Sequence, residues 1–589
     1  MKNKYLTKLI LCFIFVLSIS PLSMAVDSIN QELVESVKNE QLDEIESLIK
    51  KGADLNYSDI DGNTPLIWAI SKNNLEITKL LIDSGADVNF YNKDGRTPIM
   101  YASSYGHTEI IKLLINEGAN VNASSNIGIT SLMLASRRGN FETVELLIKE
   151  NANIEEVNQD GLTALIYASL AGNPKIAKLL INEGADINVS TDLGETSLMY
   201  ATIYKRPRTV ELLIEEGADV NAYSKEGSTS LMYASKYGNF DEAELLIKGG
   251  ADIKATDRYG TNSLVIAINY NHPKIVELLI EKGSDVNLAN DGSGWTPIMY
   301  AAKEGSPKIV KMLIEAGSEI NNVNNKEKTP LIIASEFANL EAAKLLIENG
   351  ADVNAKIMSG GLKGWSPIFY AAYTKNTKLV RLLIENGADA KINVNSGLTP
   401  LMLAAEKGSS EITKILIEAG ADIDKLNLKG RTALMISSMV GNLEVAKVLI
   451  ENGANINAEV DSNEDKGWTP LFYGIHSKNF EVVKLLIENG ADPKVNASSG
   501  LTPLLYASFN GNSDSVKLLI EKGANIDGVY NNGWTSLMFA ARNGHKETAK
   551  ILIEAGADIN VTNNNGDNLL DIAKATGNEE MVDLIIESL

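Results

Sequence analysis

The chain has 589 residues, is 44% hydrophobic and carries 76 acidic against 54 basic side chains, for a net charge of −22. That apolar share excludes a disordered chain. The acid excess excludes a nucleic-acid partner and adhesion to anionic lipid, because both need Lys and Arg to replace counterions; the charge is either solubilising or selects basic partners.

Residues 1–25 read as a secretory signal. Lys2, Lys4 and Lys8 form a basic start, Leu9 to Ile19 an apolar run, and Ser23, Met24 and Ala25 a small-residue cleavage site with the cut after Ala25. The run is shorter than the ~20 residues that span a bilayer, so an uncleaved anchor is the weaker reading. A lipoprotein site at Cys12 is weaker again, since Cys12 lies inside the run. Cys12 is the single cysteine; a processed chain has no disulfide and no thiolate metal site. The expectation is a secreted or periplasmic protein with no membrane span once the signal is removed.

From residue 61 the chain repeats. The same register begins at Gly62, Gly95, Gly128, Gly161, Gly194, Gly227 and Gly260, then at Gly294, Glu327, Gly364, Gly397, Gly430, Gly467, Gly500, Gly533 and Gly566. Steps are 33 residues, apart from one of 34 and two of 37. Two residues after each of these positions stands Thr, replaced by Asn262, Ser366 and Asn568; all supply an oxygen for a helix N-cap. Pro often follows (Pro65, Pro98, Pro297, Pro330, Pro367, Pro400, Pro470, Pro503), as suits a first helical position. Seven residues after the register position Ala recurs, with Ser437 and Gly474 as the exceptions, so another helix must pack close there. A second helix follows, with apolar residues at i, i+3 and i+4 (Ile77-Leu80-Leu81, Ile110-Leu113-Leu114, Val482-Leu485-Leu486). It ends at glycines such as Gly85, Gly118, Gly184 and Gly217, and a polar hairpin-like turn leads on.

The text Gly-x-Thr-Pro-Leu-x-x-Ala, followed by Leu-Leu-Ile-x-x-Gly-Ala-Asp-Val-Asn, as at Gly62 to Asn89, resembles the ankyrin-repeat family over nearly the whole chain after residue 26. The resemblance implies an all-α solenoid of stacked helix-turn-helix units with β-hairpin-like turns, curved and elongated. About 17 helix pairs packed ~10 Å apart give a stack on the order of 160 Å. One departure is regular: where the family has His after Thr-Pro-Leu, this chain has Ile67, Met100, Met133, Met199 or Met232. Packing must replace the hydrogen bonds of that His, which implies slightly looser loops. Residues 26–60 read as the N-terminal capping repeat, 61–565 as the array and 566–589 as the C-terminal capping repeat, because end units need a polar outer face.

The residues that carry chemistry elsewhere do not converge. There is no phosphate-binding Gly-x-x-x-x-Gly-Lys-[Ser/Thr] loop, no His-Glu-x-x-His and no Gly-x-Ser-x-Gly. His107, His272 and His545 fall between the two helices of a repeat as structural residues, and His476 falls on the first-helix surface. The insertion around Asp461–Asp465 alternates oxygen ligands, but its Gly467 is one residue late for a calcium loop; a solvated hairpin tip is the better reading. No catalytic residue, cofactor or metal is expected.

The resemblance points to a monomeric scaffold that binds protein partners on the hairpin tips and first-helix surface. Large aromatics stand at two such positions: Trp295, Trp365, Trp468 and Trp534 just after the register position, and Tyr105, Tyr204, Tyr237, Tyr270, Phe337, Tyr373 and Phe509 near the end of the first helix. Large rings on exposed positions are interface anchors. A third column, Tyr101, Tyr167, Tyr200, Tyr233, Tyr300, Tyr370, Tyr473 and Tyr506, reads as core. The alternative function is a spacer or envelope component without a discrete site.

Overall fold

The computed structural model describes residues 21–289, 292–461 and 465–589. The first 20 residues of the expected signal and residues 462–464 of the inserted loop lie outside them. The described residues hold 34 α-helices, from Pro21–Lys38 to Glu579–Ser588, in tandem pairs. The chain divides into two units, Met1–Asp285 and Val286–Leu589.

Each repeat begins where the Thr column predicts. Thr64, Thr130, Thr163, Thr229 and Thr432 sit in extended backbone, and their hydroxyls accept the N–H of the third helical residue. This satisfies one of the donors that a helix start leaves without a partner. At Thr97, Thr296, Ser366 and Thr469 the hydroxyl makes no such bond, although Pro occupies the first turn as expected. At three repeats the methionine in place of the family's His completes the cap, which Met100 and Met199 do not. Met133 Sδ accepts the Thr130 N–H at 3.5 Å, and Met232 and Met435 do the same for Thr229 and Thr432 at 3.4 Å. Packing is therefore not their whole contribution; a polarisable thioether takes a buried donor.

The small column has a direct cause. A β-carbon added at Gly474 would meet Leu486 Cδ1 at 3.2 Å and the Val482 and Val483 side chains at 3.5 Å. All three lie on the second helix of the same repeat, Phe480–Glu488. On second helices the i and i+4 positions are fully buried (Ile77, Leu81; Ile110, Leu114; Val482, Leu486). The i+3 leucines Leu80, Leu113 and Leu485 are half-buried. In the first unit a single apolar cluster runs from Leu33 to Ala185, so neighbouring repeats cover faces that one repeat leaves open. The cap helices Pro21–Lys38 and Leu42–Lys50 contribute Leu33, Val37, Ile45 and Leu48 to it.

The hairpins hold little regular sheet: one ribbon pairs Val529–Tyr530 with Trp534–Thr535, and isolated bridges join Ser124 to Thr130 and Tyr223 to Thr229. Glycine is needed there for space as well as for φ. Gly95 has φ +76, and a β-carbon on it would fall 2.5 Å from Asn126 Oδ1 and 2.7 Å from Asn126 N in the next hairpin. Glu327 stands at this register with φ 57. The next step is one of the two 37-residue ones, and the lengthened loop meets it with Met358 N–H and Ser359 Oγ donating to its carboxylate. Those bonds, the Ser359 one above all, hold the Glu327 carboxyl below the usual range.

Within each unit three ladders tie neighbouring repeats together. Hairpin tips join main chain to main chain, as Asn126 N to Asp94 O (2.9 Å) and Lys225 N to Leu193 O (2.8 Å). Between the helices, an amide side chain donates back to the end of the preceding first helix: Asn173 to Ser136 O (2.8 Å), Asn339 to Ala302 O (2.8 Å), Asn512 to Ile475 O (2.7 Å). His272 and His545 make the corresponding contact at 3.1 and 3.0 Å, consistent with their structural reading. The Asn that ends Ala-Asp-Val-Asn, or Ala-Asn-Val-Asn at Asn122, grips the next repeat with both ends of its amide. Asn122 Oδ1 accepts the Asn153 N–H (2.7 Å), and its Nδ2 donates to Asn151 O (3.1 Å). Asp can accept but cannot donate. Asn122→Asp is therefore expected to destabilise its unit by about 1 kcal/mol, read as a lower urea midpoint with unchanged slope. An unchanged midpoint would show that the donor half of the bridge contributes nothing.

Candidate functional site

The first helices present two aromatic columns, and the structure separates them. The rings in the last turn of the first helix, at either of two adjacent register positions, are all exposed. Tyr105, Tyr204, Tyr237, Tyr270, Phe337, Tyr373 and Phe509 have between 42% and 52% of their surface in solvent. The helix ends there, at a left-handed Gly106 or Gly238 or at a capping Tyr204 or Tyr270, so the same repeat covers each ring only in part, as His107 does for Tyr105 (5.4 Å) and Tyr200 for Tyr204 (6.4 Å). Within the first unit Tyr204, Tyr237 and Tyr270 come from three consecutive repeats. Lys236 Nζ lies 5.5 Å from the Tyr237 ring and 6.0 Å from Tyr270. Within the second unit Lys303 faces Phe337 at 5.9 Å and Lys407 faces Tyr373 at 4.6 Å.

The four tryptophans are half-buried and pack on rings close by. Trp295 meets Tyr300 at 5.0 Å, and Trp365 meets Tyr370 at 4.9 Å and Tyr373 at 6.0 Å. Trp468 lies against Phe472, Tyr473 and Tyr506 at 5.0–5.4 Å, and Trp534 lies 5.3 Å from Phe539 with Arg542 over it at 5.1 Å.

Trp365 and Trp468 follow the 37-residue steps, and there the additional chain builds a small core. Ile357 and Val460, both buried, pack with Tyr370 and Tyr473, and Trp365 and Trp468 close over them. Matching bonds shape the two loops: Ile357 N to Trp365 O and Val460 N to Trp468 O, each at 2.9 Å. A cation one residue after the preceding register position covers each tyrosine. Lys328 Nζ is 5.2 Å from the Tyr370 ring and bonds both Glu336 oxygens at 2.6 Å. Arg431 Cζ is 4.9 Å from Tyr473, and its Nη2 donates to Asp465 Oδ2 at 2.7 Å. Tyr473 Oη donates to the same carboxylate oxygen, also at 2.7 Å. Burial alone would raise the Asp465 pKa; the Arg431 and Tyr473 bonds overcome it and hold the carboxyl below the ordinary aspartate range. The last residue of the proposed calcium run is thus committed to an internal pair. Among the described residues no group of three His, Cys, Asp or Glu is placed to hold a metal, and no helix is long and apolar enough to cross a membrane.

The third column is only partly core. Tyr167, Tyr370 and Tyr473 are buried, whereas Tyr101, Tyr200, Tyr233, Tyr300 and Tyr506 are half-buried. Polar partners meet the hydroxyls of both groups, Asp465 at buried Tyr473 and Asn158 at buried Tyr167 among them. Tyr101 Oη donates to Asn63 at 3.1 Å, Tyr233 Oη donates to Glu195 at 3.0 Å, and Tyr506 Oη lies 2.7 Å from His476 Nδ1. A phenol packs its ring as an apolar body and keeps a polar partner for its hydroxyl, so the column is filled by tyrosine whether the ring is buried or half-buried. Burial, with Glu195 beside it, pushes the Tyr233 hydroxyl up to about 12. Since the folded form binds this proton more tightly than the unfolded chain, stability linked to it is intact below pH ~10 and lost as pH rises towards 12. Absorbance at 295 nm is expected to show a late-titrating tyrosine class that Tyr233→Phe diminishes.

No curated protein matches the chain. A family model described as ankyrin repeats (3 copies) matches residues 33–125, 132–224, 198–290, 264–357, 358–427, 419–497, 458–529 and 504–588. A second, ankyrin repeats (many copies), matches 104–148 and 331–384. With its capped helix pairs, its interlocked hairpins and these matches along almost all of its length, the chain belongs to the ankyrin-repeat family, whose repeats are generally protein–protein interaction modules.

Proposed function

We propose that this chain is an exported scaffold that holds a protein partner on its first-helix face through the exposed aromatic column. One observation carries the reading: seven of the 16 repeats place a Tyr or Phe in the last turn of the first helix, three of them consecutive (Tyr204, Tyr237 and Tyr270), and each of the seven rings is open to solvent. A large ring held there loses apolar hydration only when something docks, and such anchors dominate binding energy. In the second unit half-buried Trp365 packs 6.0 Å from Tyr373 at the edge of that column, and a spacer would have no use for the exposed rings. The export half rests on Lys2, Lys4, Lys8 and the apolar run from Leu9 to Ile19. N-terminal sequencing of the exported protein is expected to begin at Val26.

A photo-crosslinking amino acid placed at Tyr237, Tyr270 or Phe509 in the producing cell is expected to capture the same protein from each position. Placed at Glu244 or Glu277 on second helices, it is expected to capture none. Tyr237→Ala with Tyr270→Ala is expected to weaken capture by the first unit at least tenfold, or about 1.4 kcal/mol. Equal labelling of both faces would favour the spacer and end this reading.

A further inference from the structure

We infer that the first-helix face of the Met1–Asp285 unit takes an extended, acidic segment of a protein, one that alternates carboxylates with apolar or aromatic side chains. This rests on the protein-binding reading above and names the chemistry of its partner.

The argument begins with where the charge is absent. The seven first helices between Pro65 and Asn269 contain no Asp and no Glu. Their companion second helices carry acids in every repeat but one, Pro174–Asn182. In a chain at −22, the carboxylates are thus sorted away from one face. The sorting is not a general requirement of these helices. In the Val286–Leu589 unit, first helices hold Glu304, Glu336 and Glu406, paired with Lys303, Lys328 and Lys407.

What stands on the acid-free face is positive and aromatic. Arg137, Arg138 and Lys236 lie on first helices. The ion pairs among the described residues of this unit use other cations: Lys38, Lys50, Lys112, Lys178 and Arg258. Arg137 and Lys236 instead lie beside rings, Arg137 at 6.0 Å from Tyr167 and Lys236 between Tyr237 and Tyr270. The carboxylates that reach these tyrosines belong to hairpins. Asp160 lies towards Tyr167, and Glu195 accepts the Tyr233 hydroxyl at 3.0 Å. A bound carboxylate would gain a cation on the helices, with Asp160 and Glu195 set aside on the hairpins, Glu195 already accepting the Tyr233 hydroxyl; a bound cation on the helices would meet Arg or Lys. Complementarity of this kind sets partner choice and encounter rate.

Spacing defines the segment. Repeats packed ~10 Å apart match about three residues of extended chain at ~3.3 Å each. From Arg137 to Tyr270 is four repeat steps, or roughly 12 residues of ligand. Acids near its two ends would meet Arg137–Arg138 and Lys236, with apolar groups between them over Tyr204 and beside Tyr237.

The test uses the full processed chain and a fluorescein-labelled 15-residue peptide of alternating Glu and Leu. Its Lys-for-Glu counterpart and a 15-nucleotide thymidine strand serve as controls, all read by anisotropy. Binding of the acidic peptide is expected to weaken about tenfold between roughly 50 and 500 mM salt. The Lys peptide is expected to bind at least tenfold more weakly. R137Q with R138Q and K236Q, all on exposed or half-exposed side chains that leave the helical content unchanged, is expected to cost another tenfold. Equal affinity for the two peptides, no effect of the triple substitution, or tighter binding of the oligonucleotide would each overturn the assignment. The two readings fail separately. Crosslinks from Tyr237 to a partner whose contacting segment is basic would leave protein binding standing and end this inference. An acidic peptide held by the three cations without any cellular crosslink would do the reverse.

Discussion

Leu180→Ala is expected to lower the unfolding free energy of the Met1–Asp285 unit by about 3 kcal/mol. Leu180 lies on the second helix Pro174–Asn182 and is completely buried. The same register in the adjoining repeats is held by Leu147 and Leu213, also completely buried, so the truncated side chain leaves a hole between helices that cannot collapse without unseating a neighbour. A repeat array is stabilised mainly by nearest-neighbour interfaces, and one substitution at this position weakens two of them. Loss of stability is therefore expected to spread locally. Hydrogen exchange is expected to quicken in Phe141–Lys149 and Pro207–Glu215 and to stay unchanged in the Val286–Leu589 unit. A uniform acceleration over the whole chain would mean that cooperativity reaches far beyond neighbouring repeats, and the local account would fail.

The second large effect is expected at the Arg431–Asp465–Tyr473 group. Asp465→Ala removes the acceptor of two 2.7 Å bonds. It leaves a guanidinium whose side chain is 19% exposed without its carboxylate. Isolating a charge that is mostly covered costs more than the pair itself was worth; about 2 kcal/mol is expected at neutral pH. The sign with pH follows from the lowered Asp465 carboxyl. Its contribution is complete above the unfolded aspartate value near 4 and fades as pH falls through the lower folded value. Urea midpoints of wild type and Asp465→Ala should thus converge in acid. Adding Arg431→Met should recover part of the loss at pH 7, since a thioether beside Met439 and Tyr473 needs no counter-charge. Midpoints that differ equally at pH 7 and pH 2 would show that Asp465 acts by packing instead.

Much of this architecture was legible in the residues. Thr130 as a cap, Pro98 in a first turn, Ala102 in a tight helix contact and Leu114 in the core each follow from a local rule acting within about eight residues. The exposure of Tyr237 and Tyr270 was legible for the same reason, as both stand where a helix ends. Other features were not. The methionine at the family's His position looked like plain packing, because nothing in the sequence shows a sulfur meeting a main-chain N–H. The tyrosine column looked like core throughout, because helical spacing places a ring but cannot say whether its hydroxyl finds Asn63, Glu195 or solvent. Trp365 and Trp468 looked like free surface because the residues beneath them, Ile357 and Val460, sit in insertions that break the register. Their one visible signal was coincidence: each insertion is followed by a tryptophan.

By itself the sequence determined the repeating unit, its two helices, their starts and stops, and the face each buries. Those are short-range matters: capping, φ and apolar spacing are decided between residues a few positions apart, and a 33-residue period states them again and again. Only the tertiary structure decided how unit meets unit. The Asn122 bridge to Asn151 and Asn153, the Asn173 bond to Ser136 and the Arg431–Asp465 pair join residues roughly thirty positions apart. Whether such groups meet depends on the angle and distance at which neighbouring repeats pack, and no pattern within one repeat contains that information.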